Sequence, residues 1–323
     1  MKKRVFITNQ PPPAAFQKLS KNFQVTWNKK QLTEKELITK IKPYHALLTT
    51  LADPITRSVL TAGVRLQCVA NYAVGYNNID LDAAKEKGVW VTNTPEILNE
   101  ATADIAWALI LACARRIPEG EKLVRAGRFQ GWHPLLLMGN DLANKTLGIY
   151  GFGGIGKAVA RRGRGWNMKV FYHQRRRESS GLEKRYNAHF VSFEKLLKIS
   201  DIISVNAPLT PETRHRFTLK EFKRMKPTAI FVNTARGPIH NEKDLALALK
   251  AKMIYAAGLD VYEFEPRIEP KLLKLSNCVL LPHLGSATVQ TRDRMALLAA
   301  DNIEKVLLGR RPPTPVQDLK TKN

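Results

Sequence analysis

Three polar residues in the second half of the chain have the types and the order that acid–base chemistry needs. Arg236 lies in FVNTARGPIH, Glu265 in GLDVYEFEP and His283 in LLPHLGSAT, each just past an apolar run that reads as a strand. A histidine beside a carboxylate makes a proton donor, because a negative neighbour favours the imidazolium over the neutral ring. An arginine adds a planar, two-point grip on a substrate carboxylate. Singly, each has a plainer explanation: a surface arginine, a solvated glutamate, a histidine bonded at a turn. In order, and behind a glycine-rich turn, they point to a site.

That turn is TLGIYGFGGIGKAVARR, which sets Gly151, Gly153 and Gly156 in GxGxxG register, with Gly154 and Ile155 between them. Such a motif needs one glycine for a tight turn, one for backbone approach to a pyrophosphate and one for helix–strand contact. The helix that follows offers unpaired N–H groups and a positive dipole end to phosphates. Glycines also serve ordinary turns, but the strand–turn–helix context favours a dinucleotide site. About twenty residues further on, an acid is expected to hold the adenosine ribose. The sequence there is KVFYHQRRRES, with Gln174 and then Arg175, Arg176 and Arg177. A carboxylate would repel a 2'-phosphate, whereas arginine binds one by a charge-assisted contact. The reading is therefore NADP(H) first and NAD second; solvated loop arginines would explain the charge but not the missing acid.

The elements around these residues alternate. RVFIT, QVTWN, HALLTT, LQCVANY and VWVTN read as strands, with helices from about Ala14, over TEKELITKI, and at about 55–62 and 80–87. Thr33 and Glu36 have capping-box spacing. One long helix is expected from near Glu100 to just before Pro118. After the loop-rich RFQGWHPLLLMGNDLANK, a second strand–helix series runs from Thr146, and a last helix spans roughly 288–308. Two such series predict an α/β protein of two doubly wound parallel-sheet domains, whose strand carboxyl ends form the ligand crevices. The tail RRPPTPVQDLKTKN reads as an extended or frayed end.

The 323 residues suffice for two cores, and the 44% hydrophobic, 25% charged composition is that of a globular chain. The apolar run from Ile105 is too short to cross a bilayer, and MKKRVFITNQPPP carries no cleavage site, so no membrane span or export signal is read. Cys68, Cys113 and Cys278 lack CxxC pairing, which argues for free thiols in a reducing cytoplasm and against a metal site. With 52 Lys+Arg against 28 Asp+Glu the net charge is +24. The bases are dispersed and accompany no nucleic-acid-binding motif. A solvated basic surface ranks first, steering of small anions second and nucleic-acid binding third.

The blocks VANYAVGYNNID, EATADIAWALILACARRI, GFGGIG, NAPLTPETRH, NTARG, GLDVYEFEP and PHLGSAT resemble, in order and over nearly the whole chain, the D-isomer-specific 2-hydroxyacid dehydrogenases, nearest their glyoxylate/hydroxypyruvate reductase branch. The resemblance implies a Rossmann cofactor domain (100–288) inserted in a flavodoxin-like substrate domain (1–99 and 289–323), with a cleft that closes to exclude water. It implies NADPH-dependent reduction of glyoxylate or hydroxypyruvate, with Arg236 on the substrate carboxylate and keto oxygen, His283 as acid–base and Glu265 keeping it protonated. Val74 and Gly75 would hold the carboxylate through backbone N–H groups, and Asn71 would line the pocket. Thr102, Pro208, Thr213 and Thr234 would border the cofactor, and Asp260 would reach its carboxamide. Trp132, in GWHP, matches an aromatic that in relatives enters the partner's site across a homodimer interface.

Two positions depart from the family pattern: Gly154, where arginine is common, and Ala235, where serine is frequent. Within the family, D-lactate, D-3-phosphoglycerate and formate dehydrogenases are the other candidates. They are disfavoured respectively by the missing acid, by the chain's end soon after its last helix, and by the Glu–His pair. From another class, a dinucleotide-sensing corepressor would share the fold and keep the same three residues.

Overall fold

The computed structural model describes residues 2–10 and 13–319. In chain order it begins β1 (Arg4–Ile7), α1 (Pro13–Ser20), β2 (Gln24–Trp27), α2 (Glu34–Lys40), β3 (Ala46–Thr49), α3 (Arg57–Ala62), β4 (Cys68–Asn71), α4 (Leu81–Glu86) and β5 (Trp90–Thr92). Next come α5 (Asn99–Ala114), α6 (Ile117–Arg125), β6 (Thr146–Tyr150), α7 (Gly154–Gly163), β7 (Lys169–His173), α8 (Ser180–Tyr186), β8 (Ala188–Phe190), α9 (Phe193–Ile199) and β9 (Ile202–Val205). The chain continues with α10 (Leu219–Phe222), β10 (Ile230–Asn233), α11 (Glu242–Lys250), β11 (Ala256–Leu259), β12 (Cys278–Leu280) and α12 (Val289–Leu307). It divides into two units, Met1–Leu98 with Ala287–Asn323, and Asn99–Ser286.

Short apolar runs become buried strands because both faces of each sheet are covered. β3, β4, β9, β10 and β11 are buried at every residue, as parallel strands between helices must be. In the first unit the five strands are parallel in the order β2-β1-β3-β4-β5, the flavodoxin-like arrangement. One core lies under α2 to α4, around Leu37, Ile41, Val59 and Leu60. The other packs Val5, Ile7 and Leu48 against Ala296, Ala299, Ala300 and Ile303 of α12. Small residues on α12 let it approach the sheet, while each fully buried Leu or Ile contributes about 1.5–3 kcal/mol. The capping box at α2 forms: Glu36 N–H donates to Thr33 Oγ1, and Thr33 N–H donates to Glu36 Oε2 at 2.7 Å.

The second unit has seven parallel strands ordered β12-β11-β10-β9-β6-β7-β8. Relative to β6 the order reverses between β6 and β9, the switch point of a Rossmann sheet, where a crevice opens outside the strand carboxyl ends. Helix α5 covers one face with Ala103, Ala106, Leu109 and Ile110. It comes so close to β11 that a Cβ on Gly258 would lie 2.8 Å from Leu109 Cβ.

Two expectations are corrected. The helix predicted to stop just before Pro118 is two helices: α5 ends at Ala114, Arg116 adopts a left-handed φ of 53°, and α6 restarts at Ile117. Pro118 sits in the first turn of α6, where its missing N–H has no helical partner to lose. The tail expected to be extended or frayed is tied down as far as Val316. Val316 N–H donates to Val91 O (2.8 Å), and Thr314 bonds Asn302 and Asn93. Its last four residues lie outside the described ones.

Candidate active site

The glycine turn follows β6 at the switch point. Gly151 has φ +93°, and a Cβ there would lie 2.5 Å from Ala207 N, so only glycine permits this approach to the end of β9. A Cβ on Gly156 would meet Gly151 O at 2.2 Å, so the third glycine lets α7 close on the turn. A Cβ on Gly153 would meet nothing within 4 Å, and Gly153 caps α7 without a side-chain bond. The first N–H groups of α7, Ile155 among them, therefore face open space as an anion cradle. These residues fit a dinucleotide pyrophosphate. Gly154, where arginine is common in the family, is backed by Asn99: a Cβ would fall 2.3 Å from its Nδ2.

Gln174 replaces the ribose acid and is fully employed. Its Oε1 accepts from Phe152 N–H (3.0 Å), inside the glycine turn, and its Nε2 donates to Arg176 O and to Glu178. Arg177 forms a two-point pair with Glu183, whose carboxyl it holds down at about 2. Glu178, the nearest acid in sequence, is paired with Lys157. Arg175 and Arg176 are exposed and, among the described residues, hold no side-chain hydrogen bond or salt bridge. Two of the three arginines thus remain available to an anion. Across the switch point Pro208 is exposed, and the Thr213 hydroxyl closes its loop by donating to Pro208 O at 2.8 Å.

Arg236, Glu265 and His283 follow the adjacent strands β10, β11 and β12. The backbone of Arg236 is set by Asn233: its Nδ2 donates to Arg236 O (2.9 Å) and meets His240 Nδ1 (3.0 Å), while its Oδ1 accepts from Ala235 N–H. The guanidinium donates to Ala235 O at 2.6 Å and, among the described residues, forms no salt bridge. Burial lowers its pKa, and the charge of Glu265 works the other way, which places the two groups in electrostatic reach of each other. Glu265 Oε1 accepts from Tyr262 N–H (2.9 Å), and Oε2 lies 2.9 Å from His283 Nδ1. Burial pushes this carboxyl up, but the bond and charge of His283, the Tyr262 N–H and Arg236 outweigh it, and its pKa is lowered. An ionised carboxylate only accepts, so Nδ1 is the donor and Nε2 faces away from Glu265.

Asp260 is wholly buried, and its two oxygens accept from Leu284 N–H (2.6 Å) and Gly285 N–H (2.8 Å). It pins the loop directly after His283, whose own φ is +57°. Thr102 is buried too and donates to Gly285 O at 3.1 Å, bracing the same loop. Thr234 is 7% exposed, and its hydroxyl has no partner among the described residues.

In the first unit, Asn71 is buried and braces a turn from behind. It accepts from Thr49 and donates to Gly75 O at 2.7 Å. The N–H groups of Val74 and Gly75 donate to no acceptor among the described residues. Trp132 is 85% exposed and shares its segment with exposed Phe129, Leu135 and Met138. Sequence reasoning missed Asn233, His240 and Glu242, which hold the site from behind; only the Asn241–Asp244 cap spacing at the start of α11 was readable.

One unit thus carries a dinucleotide cradle, a His–carboxylate pair and an arginine that forms no salt bridge among the described residues. Residues 107–285 match the model of the D-isomer specific 2-hydroxyacid dehydrogenase, NAD binding domain. The chain is 44% identical to the glyoxylate reductase of Thermococcus litoralis, over 98% of this chain and 97% of that one. A solved protein of Thermus thermophilus superposes with a TM-score of 0.92 at 40% identity, covering 97% of this chain and all of that one. An NADPH-dependent glyoxylate/hydroxypyruvate reductase of Sinorhizobium meliloti, solved with NADP and malonate, has a TM-score of 0.87 at 28% identity and covers 98% and 97%. The chain belongs to the D-isomer specific 2-hydroxyacid dehydrogenase family and is an NAD(P)-dependent enzyme. Within that family its full-length similarity is to proteins named glyoxylate reductase. No helix among the described residues is long and apolar enough to cross a membrane.

Proposed function

We propose that the enzyme reduces glyoxylate or hydroxypyruvate to the 2-hydroxy acid, using NADPH in preference to NADH. The nicotinamide, when bound, supplies the hydride that the keto carbon takes. Arg236 orients the substrate through its carboxylate and keto oxygen, and its charge attracts most as negative charge grows on that oxygen. His283 gives the proton from Nε2, while Glu265 holds the ring by Nδ1 and balances its charge. In the first unit, Val74 and Gly75 each have a backbone N–H with no acceptor among the described residues, which suits a carboxylate. Asp260 and Thr102 keep the His283 loop in place.

The 2.9 Å His283–Glu265 pair next to an unpaired arginine carries this reading. NADPH preference is supported by Gln174 in place of the acid and by the exposed Arg175 and Arg176, of which Arg175 lies in electrostatic reach of Glu212. The apolar side chains exposed from Ile117 to Met138, Trp132 foremost, support a homodimer built on that segment. Three buried, unpaired cysteines suit the cytoplasm.

The test is oxidation of NADPH by purified protein with glyoxylate, hydroxypyruvate and pyruvate in turn. Turnover is expected with glyoxylate or hydroxypyruvate; none with any small 2-keto acid contradicts the proposal.

A further inference from the structure

Glu242 is the first residue of α11 and is only 4% exposed. A carboxylate at that depth is tolerated only when its oxygens are hydrogen-bonded. Both are committed to one loop. Oε1 accepts from Glu263 N–H, and Oε2 accepts from Glu269 N–H at 2.8 Å. Glu265 stands between those two attachment points.

Within the loop, Ile268 packs against the core and Tyr262 N–H donates to Glu265. Phe264 to Arg267 are exposed, and the crown closes on itself through Arg267 N–H to Phe264 O. Glu263 is also paired with His215 at 2.5 Å, which secures the first foot but not the second. Glu242 therefore spans the base of the loop with one side chain. Its helix follows the turn that carries Arg236, and Asn241 N–H fastens that junction to Phe217 O. One carboxylate thus ties the segment of Arg236 to the segment of Glu265.

We infer that Glu242 is a positioning residue for the acid–base pair, setting the place of Glu265 and through it the orientation of His283. This rests on the proposed reading that Glu265 and His283 serve proton transfer. A carboxylate that only filled space would be replaced at little cost by an apolar side chain. One that fixes reacting groups shows its loss in turnover, since displacements near 1 Å cost roughly 100-fold.

The test is kcat, KM and the NADPH dissociation constant of the full-length protein carrying Glu242→Gln, Glu242→Asp, Glu265→Gln, or Glu242→Gln with Glu265→Gln. Glu242→Gln exchanges one acceptor for a donor facing an N–H, and is expected to lower kcat roughly 100-fold with NADPH binding unchanged. Glu242→Asp keeps the charge but cannot reach both N–H groups, and is expected to behave alike. On the Glu265→Gln background Glu242→Gln is expected to add no further loss, because its effect passes through Glu265. A loss that multiplies on that background overturns the inference alone, as does a Glu242 variant that no longer binds NADPH, which would assign the residue to the fold. Wild-type kcat in Glu265→Gln itself would overturn the proton-transfer reading and this inference together.

Discussion

His283 Nδ1 donates to Glu265 Oε2 across 2.9 Å, linking the loops that leave the neighbouring strands β12 and β11. The bond does two things at once. It fixes the ring so that Nε2 is the free nitrogen, and it sets a carboxylate with a lowered pKa against any positive charge on that ring. Arg236, just past the end of the next strand β10, completes a row of three groups at the carboxyl end of the sheet.

Arg236→Lys should not behave as a conservative change. Lysine keeps the charge but loses the planar fork that meets a carboxylate at two points. The expected result is a higher KM for the keto acid and a kcat roughly 100-fold lower, with NADPH binding intact. Steady-state kinetics with a fluorescence titration of NADPH check this; wild-type kinetics would remove Arg236 from the substrate.

Replacing Arg175 and Arg176 together by alanine should raise KM for NADPH and leave KM for NADH nearly unchanged. Arg177 should not substitute for them, because Glu183 already holds it at 2.7 Å. Kinetics with both cofactors decide the matter. Equal losses for NADPH and NADH would mean that these side chains do not read the 2'-phosphate.

Gly156→Ala should abolish cofactor binding without unfolding the second unit. Its methyl would sit 2.2 Å from a backbone oxygen of Gly151, so the turn rather than a flexible side chain must move. Thermal denaturation and NADPH titration test it together; unaltered affinity would show that the turn is not the pyrophosphate site.

These positions differ in how readable they were. The strand–helix alternation, the glycine register and the Arg–Glu–His order are local patterns, and each appears where the sequence placed it. The bonds from Asp260 to Leu284 and Gly285 were not readable, because a carboxylate at a strand end looks the same in sequence whatever it accepts from. Glu242 left no signal because its partners Glu263 and Glu269 lie more than twenty residues away, and Asn233 and His240 left none because their bonds stay within the turn after β10 and follow no recognisable spacing. The break between α5 and α6 was hidden by Pro118, which marks helix starts as well as ends.

His240 makes stability sensitive to acid. It is wholly buried, and burial first, with the charge of His215 second, pushes its pKa from 6.5 down to about 3. Between those values the unfolded chain binds a proton that the folded chain refuses, so stability falls as pH drops from 6.5 toward 3. By pH 5 the loss from this residue is roughly 2 kcal/mol. Denaturant unfolding at pH 7 and pH 5 should show a smaller decline for His240→Asn than for wild type; identical declines would contradict the assignment.

On the proposed reading, His283 supplies the proton while the cofactor site stands independently of it. Glyoxylate- and hydroxypyruvate-dependent NADPH oxidation by His283→Gln, measured with its NADPH dissociation constant, tests this most directly. The expected result is wild-type cofactor affinity with kcat lowered at least roughly 100-fold. Turnover at the wild-type rate would contradict it.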